Sequence, residues 1–218
     1  MFAIVLTLAT LQAIAGVAED QNLQVAIERM DVQKVTAALQ AGGNPLALYN
    51  GKGIPLIEGA VMSACYEALL DEMQVEIETA YEVVKLLVKA GGLKDKSGNL
   101  LYFPVIRGKI ELLKFLIENG ANPLEKVDGS TLAELALRNS QNEAYQILVD
   151  AGATPVLMSK SIYSSLLVNA INKQDTTGIA MLLDAGADVN VRTARGETAL
   201  LAAILNNRFS TNCNGQLN

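Results

Sequence analysis

Five stretches of the chain end alike, and that recurrence limits the fold more than any other feature. LQAGGNP begins at Leu39, VKAGGLK at Val88, IENGANP at Ile117, VDAGATP at Val149 and LDAGADV at Leu183. Their key glycines, Gly42, Gly91, Gly120, Gly152 and Gly186, are 49, 29, 32 and 34 residues apart. A period of about 33 residues marks stacked supersecondary units that bury a continuous core only by leaning on one another. A glycine just past a helix takes the left-handed conformation that closes a helix C-terminus. The next residue is small each time (Gly43, Gly92, Ala121, Ala153 or Ala187), which leaves room for a neighbouring unit. Asn44-Pro45, Asn122-Pro123 and Thr154-Pro155 then turn the chain outward, because proline cannot continue a helix.

Upstream of each glycine the apolar residues sit three, four and seven positions back, on one helical face. Ile117, Leu116 and Leu113 form one such set, and Leu183, Leu182 and Ile179 another. A second, earlier helix opens each unit. It is clearest in Asp128-Gly129-Ser130-Thr131-Leu132-Ala133-Glu134-Leu135-Ala136 and in Arg195-Gly196-Glu197-Thr198-Ala199-Leu200-Leu201-Ala202-Ala203. There the glycine supplies a turn and the threonine hydroxyl an N-cap, with Glu134 at capping-box spacing from Thr131.

These two motifs, in this order and at this period, resemble the ankyrin repeat over roughly residues 22–208. The resemblance implies an all-α class: an ankyrin-repeat solenoid of stacked helix–turn–helix units with protruding finger loops. The repeat domain is expected over 20–208. An incomplete first unit covers 20–46, with Leu23 and Ala26 in its first helix. An expanded second covers 50–93 and a short third 95–123. The fourth and fifth occupy about 126–156 and 160–189. A sixth starts at Thr193 with its first helix alone, before a polar tail over 209–218. The family's usual histidine is missing, because the chain has none. Ile57, Phe103, Glu134, Val168 and Leu201 stand in its place. The hydrogen bonds it would make are expected to be replaced by van der Waals packing.

The lack of histidine also excludes Ser–His–Asp and Cys–His nucleophilic pairs and His-based zinc sites. Cys65 and Cys213 are 148 positions apart, too far for a clustered thiolate site, though one disulfide in an oxidising compartment stays open. A net charge of −6 argues against a general nucleic-acid binder. No cofactor, no metal and no catalytic residue are expected.

Residues 2–18 carry no charge and end in Ala13-Ile14-Ala15 and Gly16-Val17-Ala18, small residues that suit signal peptidase. A cleaved secretory signal over 1–18 is the leading expectation, which makes the protein periplasmic or secreted with no stable membrane span afterwards. No Lys or Arg precedes the run, so an apolar helix capping the first repeat and a retained anchor stay open. Without a signal the protein is cytoplasmic.

Between Gly42 and Gly91 the chain is about 16 residues longer than the period asks. The surplus lies near 61–79, which holds Glu67, Asp71, Glu72, Glu76 and Glu78 and no cation. The first helix of the second repeat is expected to be extended there and then to turn back or lead into another. Glu67, Asp71 and Glu72 are candidates for partner docking, against a merely solvated acidic face. The expected fingers carry Lys52, Lys94, Lys96, Lys126, Lys160, Arg192 and Arg195 against five carboxylates. That is +2 on the fingers and −8 on the rest, which favours an anionic patch on a partner. Tyr49, Tyr102 and Tyr163 stand at or beside finger bases and complete the partner-binding candidates, since tyrosine is favoured in interface hot spots.

The expected function follows from the resemblance: a non-catalytic protein-binding scaffold, using its fingers and concave helix face, of an inhibitor or immunity type. The alternative is a structural or oligomerising element that self-associates through an uncapped C-terminal repeat face.

Overall fold

The computed structural model describes residues 16–51, 53–93, 99–153, 160–184, 186–190, 192 and 196–212, without the side chains of 160–162 and 206–212. They form two compact units. One holds the described residues up to Pro104 together with Lys109–Asn122, the other Val105–Gly108 and the described residues from Pro123 on.

The first unit starts with helix α1, residues 16–28, and α2, Val32–Gln40. Asp31 caps α2 by accepting from the Lys34 amide at 3.0 Å. The chain then makes a short turn at Tyr49–Gly51 and enters α3, Leu56–Ala64. Two further helices follow, α4 at Glu67–Met73 and α5 at Ile77–Leu87. α3 packs against α5, and α5 in turn against α2. α6 spans Tyr102–Arg107 and α7 Ile110–Glu118.

The second unit has a two-stranded finger, β1 at Lys126–Val127 and β2 at Ser130–Thr131. Asp128 and Gly129 both have positive φ, 51° and 81°, the tight turn that joins twisted antiparallel strands. Thr131 ends the finger and caps α8, Leu132–Arg138, by accepting from the Glu134 amide at 3.2 Å. The Glu134 carboxylate pairs with Arg138 at 2.6 Å. α9 covers Asn142–Asp150, α10 Lys160–Asn172, α11 Thr176–Asp184 and α12 Ala199–Asn212.

Two closing devices repeat along the chain. At the end of a second helix, the amide after the glycine donates back across the last turn. Gly43 reaches Ala38, Ala121 reaches Leu116, Ala153 reaches Leu148 and Ala187 reaches Leu182, each at 2.9 Å. Gly42, Gly120, Gly152 and Gly186 have φ between 88° and 108°, as the sequence motif requires. At the turn between two helices, a residue of positive φ precedes a similar bond. Met30, Gln74, Gly108, Ser140 and Gln174 occupy that position. Asp31, Val75, Lys109, Gln141 and Asp175 then donate to carbonyls five residues back, at 2.9–3.0 Å.

The second repeat departs from expectation. Its first helix is not extended: α3 stops at Ala64, and the added residues form the separate helix α4. α4 joins α5 through the ordinary interhelical turn at Gln74, so the insertion sits between the two helices of a repeat whose α3–α5 packing is kept. At its far end the Gly91 turn is widened into a π turn over Val88–Gly92. A side chain at Gly92 would collide with Ile57 and lie 2.9 Å from the Leu87 carbonyl, which is why this repeat has glycine where the third, fourth and fifth have alanine. The last helix also differs from expectation, running to Asn212 and thus into the segment assigned to a tail.

Polar side chains also form bonds across long stretches of the chain. Asp20 Oδ1 accepts from the Asn44 amide at 2.7 Å, and Ser164 Oγ donates to the Asp188 carbonyl at 3.1 Å, both across 24 residues. Across 33 residues, Asn142 donates to Asp175 at 2.8 Å and Lys173 to Ser140 at 3.1 Å. These last two tie the fourth repeat to the fifth.

Candidate partner-binding surface

In the first unit, α1 and the Tyr49–Gly51 turn wall a groove of about 390 Å³. Its polar lining is Asp20, Gln21, Gln24, Asn44 and Asn50, and its apolar lining includes Val17 and Leu48. Gln24 holds the turn in place: its Oε1 accepts from the Asn50 amide at 2.9 Å. Asn50 itself has φ of 49°, a conformation asparagine tolerates better than most residues. Asp20 fixes the other end of the loop through Asn44. The groove is thus pre-formed, with an anionic and amide-rich floor.

The sequence candidates fall into three groups. Lys52, Lys94, Lys96 and Arg195 lie outside the described residues, and so does the side chain of Lys160. Lys126 is exposed on β1, and Arg192 is exposed with its guanidinium donating to the Gly196 carbonyl at 2.9 Å. Asp71 and Glu72 are exposed on α4.

The tyrosines separate. Tyr163 is only 3% exposed, so its ring fills the core of the second unit and is not a contact surface. That corrects its assignment as a partner-binding residue: on α10 it shares one helical face with buried Leu167 and Ala170. Tyr49 is half-buried, and its ring occupies the space that a side chain at Gly59 would need. Burial pushes its hydroxyl pKa up, and nearby Glu28 adds to the shift. Tyr102 is half-buried and meets Phe103 edge-on at 5.0 Å.

Glu67 is highly exposed but engaged. It forms an ion pair with Lys109, whose side chain is only 12% exposed. That hydrogen bond and charge hold the Glu67 carboxyl below its ordinary range. Around it, Phe103 tilts against Tyr66 at 5.8 Å. The Tyr81 hydroxyl is pushed up to about 12, first by burial and then by Cys65 and three glutamates. Lys109 was missed from sequence because its spacing from Glu67, 42 residues, follows no local rule. Cys65 is buried, and Cys213 lies outside the described residues. The apolar run over 1–15 also lies outside them; among the described residues no helix is long and apolar enough to cross a membrane.

No family model matches the chain. A chain from the solved structure of EF0377, an ankyrin repeat protein, superposes with a TM-score of 0.57 at 16% identity, over 91% of this chain and 98% of that one. A putative ankyrin repeat-containing protein of Treponema pallidum is 33% identical over 101 residues, 46% of this chain. The chain has the ankyrin-repeat fold. Two further likenesses place the repeats in different company. The BRCA1-associated RING domain protein 1 of Caenorhabditis elegans is 36% identical over 90 residues, 41% of this chain. The match spans 13% of that relative's length and 34% of the Treponema protein's. A chain in the structure of the Bdellovibrio bacteriovorus predatory endopeptidase Bd0816, in complex with immunity protein Bd3460, superposes with a TM-score of 0.55 at 20% identity. The likeness covers 86% of this chain and 93% of that one.

Proposed function

We propose that this ankyrin-repeat protein is a non-catalytic scaffold that binds another protein through its finger turns and first-helix face. The observation that carries this reading is the pre-formed groove between α1 and the Tyr49–Gly51 turn, held by Gln24 and Asp20 and edged by exposed Leu48. A loop already fixed in place loses little freedom on binding. Lys126 and Arg192 offer cations in the second unit. Asp71 and Glu72 form a separate acidic face on α4. The finer reading is an inhibitor or immunity-type protein acting on an enzyme outside the cytoplasm. Two observations favour it: the likeness to a chain from an endopeptidase–immunity protein complex, and the uncharged run over 2–18.

Affinity capture with the 218-residue chain on cell-envelope extracts tests the scaffold. One stoichiometric partner is expected, with retention at least tenfold weaker for Leu48→Glu and unchanged for Leu183→Glu. Equal retention by Leu48→Glu would remove the groove from the account. N-terminal sequencing of the mature protein tests export. Cleavage after Ala15 leaves the 16–28 helix whole, whereas cleavage after Ala18 removes Val17 from the groove. A mature chain that still begins at Met1 contradicts a cleaved signal.

A further inference from the structure

The groove between α1 and the Tyr49–Gly51 turn uses its fixed donors internally. The Asn44 amide donates to Asp20 Oδ1 at 2.7 Å, and the Asn50 amide to Gln24 Oε1 at 2.9 Å. The Gln24 side-chain amide in turn donates to Glu28 Oε1 at 2.8 Å. Asp20, Gln24 and Glu28 stand four residues apart and so form one stripe along α1, with a carboxylate at each end. Among the described residues neither carboxylate is paired with a cation, and no cation lines the groove. Asp20 is half-buried, and its second oxygen has no donor among the described residues. Val17 and Leu48 edge the same groove and are 58% and 42% exposed.

A partly desolvated carboxylate beside apolar surface selects its occupant by charge. Asp20 and Glu28 repel an anionic segment, and a purely apolar one would cover the Asp20 charge and leave it unpaired. A basic side chain meets both demands, because its aliphatic stem covers apolar surface while its head stays with the charge. We propose that the groove takes a basic side chain of the partner protein, its cation on Asp20 and its stem between Val17 and Leu48. The inference rests on the groove as the partner surface and adds the chemistry of what enters it. Its sign is opposite to the anionic patch expected for the fingers as a set.

An NMR titration of the 218-residue chain with N-acetyl-leucyl-arginine amide tests it, with the citrulline peptide as control. Citrulline keeps the shape of arginine without its charge. Saturable shifts are expected at the Gln21, Gln24, Leu48 and Asn50 amides, with affinity about fivefold lower for the citrulline peptide. Asp20→Asn keeps an acceptor for the Asn44 amide. It should weaken the arginine peptide by about the same factor and leave the citrulline peptide unchanged. Glu28→Gln, at an exposed position, should weaken it less. Shifts that never saturate, equal affinity for the two peptides, an Asp20→Asn chain that binds as the parent does, or shifts centred on Asp71 and Glu72 each overturn the proposal. Partner capture that depends on Leu48 but shows no preference for arginine would keep the groove and remove the cation.

Discussion

The fourth repeat and the second use the same parts to different effect. In the fourth, a capped finger leads into α8, α8 turns at Ser140 into α9, and α9 closes at Gly152; every step carries its own hydrogen bond. In the second, α3 and α5 keep their packing, but α4 is interposed with one buried side chain, Leu70, and no side-chain cap. The contrast separates two kinds of residue. Those that hold a repeat are apolar and recur with the period. Those that distinguish a repeat are polar or paired at a distance, like Glu67 and Lys109.

The largest effect that probes this contrast is Leu148→Ala in α9. Leu148 is fully buried at the closing turn, and its loss should cost about 3 kcal/mol in a denaturant melt. Leu70→Ala should instead undock α4 and leave the helices beside it folded, a difference visible in backbone amide shifts. Gly92→Ala comes next, at about 2 kcal/mol, since the new side chain meets Ile57 and the Leu87 carbonyl. The equivalent positions in the third, fourth and fifth repeats already hold alanine, so a neutral outcome would mean that the π turn does not constrain the second repeat. Thr131→Ala should cost about 1 kcal/mol by removing the α8 cap.

The smallest effect is electrostatic. The Glu67 carboxyl lies below its ordinary value of 4.5 when folded, so the ion pair contributes fully above that value. Its contribution is lost as pH falls through the lowered folded value. Carboxyl titration by NMR should place the Glu67 midpoint below 4.5, and Lys109→Met should return it there. Because Glu67 is exposed, added salt should weaken the pair.

Much of the repeat frame was legible in the sequence, because its signals are local. Gly42, Gly120, Gly152 and Gly186 take the left-handed conformation their motif announces, and Thr131 caps the helix it precedes. The break after Ala64 was not legible. Neither glycine nor proline marks it, and Tyr66 starts α4 without a cap bond. The interhelical turns at Met30, Gln74, Ser140 and Gln174 also lack glycine; a long-reach backbone bond fixes each one. At the candidate surface, sequence reasoning found exposed Lys126, Arg192, Asp71 and Glu72. It misplaced Tyr163 and missed Gln24, Asn50 and Asp20, whose partners lie 24 or 26 residues away.

The central claim is that α4 is an appended element on an otherwise ordinary ankyrin repeat, free to open without the repeat unfolding. Amide hydrogen exchange on the 218-residue chain tests it most directly. The account predicts that Glu67–Met73 exchanges far earlier than α3 and α5, while α8 and α9 exchange together as one protected pair. Protection of α4 equal to that of α5 would contradict it and make the insertion part of the repeat's own core.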